Sequence, residues 1–370
     1  MKILFDVAEL APGMGKSMGI YNYAKRLLEH IPPLLPDGWE LHVACNAGGQ
    51  EDFSVQHEKV HLHRVLNQQQ PGALRRQLWI RWGAQALSCQ VGANIYFTPK
   101  GFLPGFFGKP AGLKSVAVVH DLIPLWYAKN YPDQFSWLEK MIVNGGLLRT
   151  VRFADQLIVI SQATADDVLS MVRRDASSMN VVHNGIPLVT PRREPPRKNP
   201  YIFAMASSLP HKNLNGLLAS YECYRNLSAD PLPLIICGVA DPGLCGVEVV
   251  SGLDEQSLHT YYAHAEAFLF LSLIEGFGFP PLEALSHGTP VVCSDIPALR
   301  EVVGDQAIFV SPDDPSSVAS ALLKTLSENR VLRAGRQLAQ NPLAPIYSWD
   351  RCAKGVISAL KSVASPTSAT

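Results

Sequence analysis

The sequence has cysteines, but not in useful places. Seven are scattered over 370 residues, at positions 45, 89, 223, 237, 245, 293 and 352, and no two form a Cys-x-x-Cys pair. An odd, dispersed set excludes a disulfide framework and a cysteine zinc site, and it fits a reducing cytoplasm. Charge of one sign is also lacking, because Lys+Arg and Asp+Glu each number 32. Without net charge the chain is not a bulk polyanion binder, so nucleic acid is not an expected partner. Long apolar runs are missing too. The longest, "AFLFLSLI" from Ala267, falls well short of the roughly 20 residues a spanning helix needs. The opening "MKILFDVAEL" is interrupted by Asp6 and Glu9 and is not expected to be a secretory leader.

Two phosphate-handling motifs are absent as well. No Asp-x-Asp occurs, so a metal-held diphosphate is not expected, nor is any other metal or cofactor. Gly15-Lys16-Ser17 has the tail of a P-loop, but the glycine required five residues before Gly15 is Leu10. A P-loop reading makes Lys16 a phosphate ligand. The alternative makes this segment a flexible loop and Lys16 a solvated charge.

What is present is an alternation. With 47% hydrophobic and 17% charged residues the composition is that of a soluble globular protein, long enough for two cores. Short apolar runs read as buried strands near 2, 41, 94, 115, 157 and 180, with helices between them at 18–31, 73–89, 132–151 and 162–171. "PLVTPRREPPRKNP", residues 187–200, is proline-rich and aperiodic, and it reads as a stiff linker. Strands resume near 201, 234, 267, 290 and 307, with helices at about 213–227, 255–264, 281–287 and 315–329. A last helix around 346–363 and a frayed tail close the chain. The expected fold class is α/β, two doubly wound parallel-sheet domains facing across a cleft.

The densest chemistry lies in "LSLIEGFGFPPLEALSHGTPVVCSD", residues 271–295. Glu275 ends a strand, a glycine-rich turn follows, and Pro280-Pro281 opens a helix that carries Glu283 in its first turn. Glycine permits close approach of a ligand, and a helix N-terminus favours an anion. Ionised carboxylates beside such a seat accept hydrogen bonds from sugar hydroxyls. The plain alternative is that Glu283 complements the helix dipole and the prolines shape a loop.

Glu275-x7-Glu283, written "EGFGFPPLEA" and followed by "GTPVVCSDIPALREVVGDQA", closely resembles glycosyltransferase family 4. These are retaining enzymes of the two-domain GT-B fold, with two Rossmann-like domains. Weaker motifs occur in the family's order: "KSMGIYNYAKRLL", "VVHDLIP", "VISQATADDV", "VVHNGI" and "SSLPHKNL". The resemblance implies that Glu275 holds the donor sugar beside the reacting carbon and that Glu283 binds the ribose of the nucleotide. It implies that the backbone of Gly276, Phe277, Gly278 and Phe279 cradles sugar and diphosphate, and that Lys212 neutralises the diphosphate. Ser207 and Leu253 join the donor-binding set, as does Gly19, aligned with the second glycine of the family's first turn. His120, ahead of Asp121, is placed at the reaction centre. Pro280 lacks an N–H that many members have. Ala206 and Ser207 stand where many members carry an arginine.

The resemblance further implies residues 1–190 as the acceptor-binding domain and 201–345 as the nucleotide-sugar-binding domain, joined by 191–200. The final segment, 346–370, is expected to pack back on the first domain. The expected activity is transfer of a sugar, with mannose from GDP-mannose as the first choice, to a saccharide or lipid-linked saccharide in surface polysaccharide synthesis. The expected place is the cytoplasm, at the inner face of the plasma membrane if the contact is peripheral. In 72–87, Leu74, Leu78, Trp82 and Ala86 form one helical stripe beside Arg75, Arg76 and Arg81. The favoured expectation is a core-facing helix with solvated arginines, and the alternative is a face lying on an anionic membrane. Two other functions stay open: a nucleotide-sugar epimerase or phosphorylase on the same fold, and a non-catalytic nucleotide-sugar-binding protein.

Overall fold

A computed structural model describes residues 1–13, 18–104, 112–332, 343 and 345–364. Gly15-Lys16-Ser17 and the tail from 365 onward lie outside the described residues. The chain divides into two units, one comprising Met1–Gly185 with Trp349–Thr370 and the other Ile186–Ser348.

In the first unit the sheet contains β1 (Lys2–Asp6), β2 (Glu40–Asn46), β3 (Val60–Leu66), β4 (Ile95–Thr98), β5 (Lys114–Val119), β6 (Gln156–Val159) and β7 (Met179–Val181). Their spatial order is β3-β2-β1-β4-β5-β6-β7, and every pairing is parallel. The central strands are apolar on both faces, as a sheet covered by helices requires, and Ile3, Leu4, Phe5 and Phe97 are fully buried. The helices are α1 (Met18–His30), α2 (Ala73–Leu78), α3 (Ala84–Val91), α4 (Ile123–Asn130), α5 (Trp137–Phe153) and α6 (Gln162–Met171). α5 begins later than expected because Ser136 and Glu139 form a reciprocal capping box at its start.

In the second unit the alternation runs β8 (Ile202–Met205), α7 (Leu214–Leu227), β9 (Leu234–Cys237), β10 (Val247–Val250), α8 (Glu255–His264), β11 (Ala267–Phe270), α9 (Phe279–Ser286), β12 (Val291–Ser294), α10 (Pro297–Val303), β13 (Ala307–Val310) and α11 (Pro315–Leu332). The order β10-β9-β8-β11-β12-β13 is that of a Rossmann sheet, reversing direction between β8 and β11. The first sheet has the same order with one strand added, reversing between β1 and β4.

The proline-rich 191–200 is not a free linker. It belongs to the second unit, where the Arg192 N–H donates to Thr260 Oγ1 at 3.0 Å and Arg197 makes two bonds to Glu248 at 2.8 and 3.0 Å. The chain passes between units at Gly185/Ile186 and again at Ser348/Trp349. The last helix, α12 (Trp349–Ala364), packs on α1, β5 and β6 of the first unit through Trp349, Cys352, Val356 and Leu360. Gly355 permits that approach, since a Cβ there would stand 2.7 Å from Val182. Among the described residues no helix is long and apolar enough to cross a membrane.

Candidate functional site

Ligands of open α/β sheets bind beyond the carboxyl ends of the strands, where the strand order reverses. In the second unit that place is reached by the loops after β8 and β11. After β8 the chain turns sharply: the Leu209 N–H donates to Ser207 Oγ at 3.3 Å, and Pro210–Lys212 forms one 3-10 turn. Asn213 then adopts φ 51°, the one left-handed non-glycine among the described residues. Its side chain stabilises that conformation twice over, accepting from the Gly216 N–H at 3.2 Å and donating to the Pro312 carbonyl at 3.1 Å. The backbone of this turn is tied to the loop after β11, because the Leu273 N–H donates to the His211 carbonyl at 2.8 Å. Burial, with Lys212 beside it, pushes the His211 imidazole down to about 4, so it is neutral at pH 7.

These constraints bring Lys212 to Glu275, with Nζ 2.5 Å from Oε1 and also 5.5 Å from the centre of the Phe270 ring. The turn that follows depends on Gly278, at φ 105°, where a Cβ would stand 2.3 Å from Leu299. The side chain of Phe277 is buried and packs edge-on against Tyr347 at 5.7 Å and at a tilt against Phe279 at 5.1 Å. Its role toward a ligand is therefore confined to its main chain.

Glu283 lies in the second turn of α9, since the helix starts at Phe279. The first-turn dipole explanation therefore does not apply to it. Burial raises its carboxyl to about 7, with the Tyr262 hydroxyl opposing the shift and Glu255 adding to it. Leu253 is half-buried in the loop between β10 and α8, just before Asp254, whose carboxylate caps α8 through the Ser257 N–H at 2.7 Å. No cation stands at 206 or 207: Ala206 is buried, and its N–H donates to the Cys237 carbonyl at 3.1 Å.

In the first unit, His120 follows β5. Its Nε2 lies 2.7 Å from the Pro99 carbonyl, so this nitrogen carries the proton and Nδ1 is the acceptor. Burial holds the ring down at about 4, and Tyr23 packs edge-on against it at 4.8 Å. Asp121 accepts from the Ile123 N–H at 3.0 Å and thereby caps the turn that follows. Gly19 sits in the first turn of α1, with open space where a Cβ would be.

The sequence pattern does not mark a polar cluster at this unit's own reversal point. Asp6 ends β1 and accepts from the Tyr96 hydroxyl at 2.5 Å, the Trp79 indole at 2.9 Å and the Ala8 N–H at 3.1 Å. Burial still raises it to about 6. Beside it Glu9 pairs with Lys100, which follows β4. The available signal was a lone acid closing the apolar strand "KILFD".

The 72–87 segment corrects an expectation. Leu74, Leu78 and Trp82 are 73%, 44% and 62% exposed, and Ala86 is exposed as well, so the stripe faces outward. A π-type turn over Trp79–Gly83 separates α2 from α3 and swings Trp79 inward to Asp6, leaving Ala84 and Leu87 as the next buried residues. Gly83 makes room for the indole, since a Cβ there would lie 2.4 Å from it.

Comparison with known proteins bears on the family and the fold. Residues 19–189 match the family model "Glycosyltransferase Family 4", and residues 190–341 match "Glycosyl transferases group 1". The O-antigen chain mannosyltransferase RfbU of Salmonella typhimurium is 29% identical over 55% of this chain and 58% of its own length. O-antigen chain mannosyltransferase B of Escherichia coli is 32% identical over 44% of this chain and 45% of its own. The matched stretch thus spans about half the length of these relatives. Among solved structures, the sucrose-phosphate synthase of Thermosynechococcus elongatus superposes with a TM-score of 0.70 at 16% identity, over 99% of this chain and 100% of that one. Anabaena HepE, in complex with UDP and glucose, superposes at 0.64 and 16% identity, over 98% and 100%. At these identities the likeness establishes the fold, two Rossmann-like units of the GT-B class.

Proposed function

Because the chain belongs to the glycosyltransferases, its first part to family 4 and its second to group 1, we propose that it moves a sugar from a nucleotide-diphosphate donor to a saccharide or lipid-linked saccharide acceptor. The observation that carries this reading is the pair Lys212–Glu275 at the second sheet's reversal point, beside the glycine-rich turn. Departure of the nucleotide builds negative charge on its diphosphate, and a lysine aimed at that charge is the main electrostatic lever. Glu275, released from Lys212 by the diphosphate, accepts hydrogen bonds from the sugar hydroxyls. Glu283 accepts from the ribose, with Leu253 and Ser207 as further contacts. In the first unit Gly19 and His120 complete the donor set, His120 as a neutral acceptor through Nδ1.

The proposed outcome is retention at the anomeric carbon, without a metal on the diphosphate, the chain having no Asp-x-Asp. Mannose from GDP-mannose is the first choice of donor, supported by the O-antigen mannosyltransferases that the chain resembles. The outward stripe of 72–87, with its arginines, supports a peripheral contact with an anionic membrane. The test is a panel of GDP-, UDP- and ADP-sugars, scored by thermal shift and by transfer to a saccharide acceptor, with the product anomer read by NMR. A protein stabilised by no nucleotide sugar sinks the proposal. Turnover without an acceptor identifies an epimerase or phosphorylase, and binding without transfer identifies a non-catalytic binder.

A further inference from the structure

The outer edge of the first sheet carries a second polar arrangement, unrelated to the loops above. Side chains two apart on a strand share a face, and the parallel register sets His42 opposite His61. Glu40 and His42 on β2 therefore share one patch with His61 and His63 on β3. His42 is only 7% exposed, and its Nδ1 lies 3.0 Å from His63 Nε2. Its other ring nitrogen, Nε2, is buried with no hydrogen-bond partner, 3.4 Å from Glu40 Oε2. His61 Nε2 lies 3.8 Å from the same carboxylate oxygen. One ligand atom from each of Glu40, His42 and His61 falls within 4.8 Å of the others, and no other such group of His, Cys, Asp or Glu occurs among the described residues.

We propose that Glu40, His42 and His61 bind a divalent transition-metal ion of the zinc class, with His63 orienting His42. Tetrahedral zinc bonds of about 2.0–2.2 Å place neighbouring ligand atoms about 3.3 Å apart. The observed 3.4 and 3.8 Å to the Glu40 carboxylate lie near that spacing, and the two imidazole ligand atoms lie within 4.8 Å of each other. Two imidazoles and one carboxylate suit zinc, copper or nickel, whereas magnesium and calcium call for an all-oxygen set.

The proton arrangement fits as well. For His42 Nε2 to present a lone pair, Nδ1 must hold the proton and donate it to His63, which fixes the ring. Lys2 on β1 approaches Glu40 to 3.7 Å, but both side chains are 43% exposed, and the lysine is free to swing into water. Such an ion would clamp the edge strand β3 onto β2.

The test uses the full chain with any affinity tag removed. Zinc is titrated by calorimetry at pH 7.5, and cobalt serves as a visible reporter of tetrahedral geometry. One ion per chain is expected, with a melting temperature that rises with zinc and not with magnesium. His61→Ala and Glu40→Gln each weaken binding by about tenfold or more, and His264→Ala in the other unit leaves it unchanged. His61 is 46% exposed and Glu40 43%, so these variants keep the fold where His42→Ala would risk it. Absence of a bound ion, or an affinity in His61→Ala and Glu40→Gln equal to the parent's, overturns the proposal.

Discussion

Lys212 Nζ stands 2.5 Å from Glu275 Oε1, joining residues that follow adjacent strands, β8 and β11. Each charge balances the other, so in the proposed reaction a diphosphate arriving at Lys212 would exchange one anion for another and set Glu275 free for a sugar. Lysine and glutamate should therefore separate by function when mutated. Lys212→Ala should weaken nucleoside diphosphate binding by about tenfold or more, the loss of one charge-assisted hydrogen bond, and slow transfer as well. Glu275→Gln should leave nucleoside diphosphate affinity within a few-fold while lowering transfer by roughly a hundredfold or more. The melting temperature should move little in Glu275→Gln, whereas Lys212→Ala leaves a carboxylate only 12% exposed without its counter-charge and should lower it. Calorimetry with the nucleoside diphosphate, beside steady-state transfer, distinguishes the two. Equal losses of binding in both variants would count against this division.

The sequence marks this pair through two local motifs, but not their contact. Their meeting follows from strand order, which places β11 beside β8 although β9 and β10 intervene in the chain. The same logic explains the strands left unmarked. β3 and β10 are the outer edges of the two sheets, and their half-exposed "VHLHRVL" and "VEVV" lack the continuous apolar run of a covered strand. The orientation of 72–87 was illegible for another reason. A uniform 3.6-residue period does not hold across a segment that contains a π-type turn, where the buried face steps from Trp79 to Ala84. The linker reading of 191–200 failed because its arginines find partners, Thr260 and Glu248, that lie far away in sequence.

If Glu283 holds the ribose as proposed, it makes ligand binding and stability depend on pH in opposite senses. Its carboxyl is raised from 4.5 to about 7 in the fold, so folding favours the protonated acid. The stability it contributes is complete below pH 4.5 and is lost as pH rises through 7, at most about 3 kcal/mol. Ribose hydroxyls need the ionised carboxylate, so nucleotide binding should tighten from pH 6 to 8 and release a proton near pH 7. Calorimetry in buffers of different ionisation enthalpy reads that proton directly. Glu283→Gln should abolish the buffer dependence and should gain stability relative to the parent as pH rises from 5 to 8. A parent whose binding heat is independent of buffer contradicts the prediction.

Two glycines should respond differently to substitution. Gly278 has φ 105° and Leu299 in the way of a Cβ, so Gly278→Ala should cost about 2 kcal/mol or more and lower the melting temperature. Gly19 is helical with open space around it, so Gly19→Val should cost well under 1 kcal/mol. If its backbone lies against the donor, the valine should nonetheless raise the KM for the nucleotide sugar. Paired unfolding and kinetic measurements decide this, and a Gly19→Val protein with unchanged KM removes Gly19 from the donor set.

Trp79 and Trp82 lie three residues apart in one π-type turn, one buried and the other exposed, so their roles can be tested separately. Trp79 is 7% exposed, and its indole donates to a buried carboxylate, Asp6, that burial has already raised to about 6. Trp79→Phe keeps most of the ring but removes the donor, and the expected cost is about 1–3 kcal/mol, the usual penalty for a buried polar group left short of a partner. Trp82 is 62% exposed beside Arg81 and the outward Leu78, so Trp82→Ser should leave the melting temperature within a degree or two. If this face meets lipid, Trp82→Ser should lower binding to vesicles rich in anionic lipid, and the parent's binding should weaken with added salt. Sedimentation with vesicles of phosphatidylglycerol, set beside neutral phosphatidylcholine, measures it. Equal sedimentation of parent and Trp82→Ser would leave the outward stripe without a membrane role, whereas loss confined to anionic vesicles would assign it one.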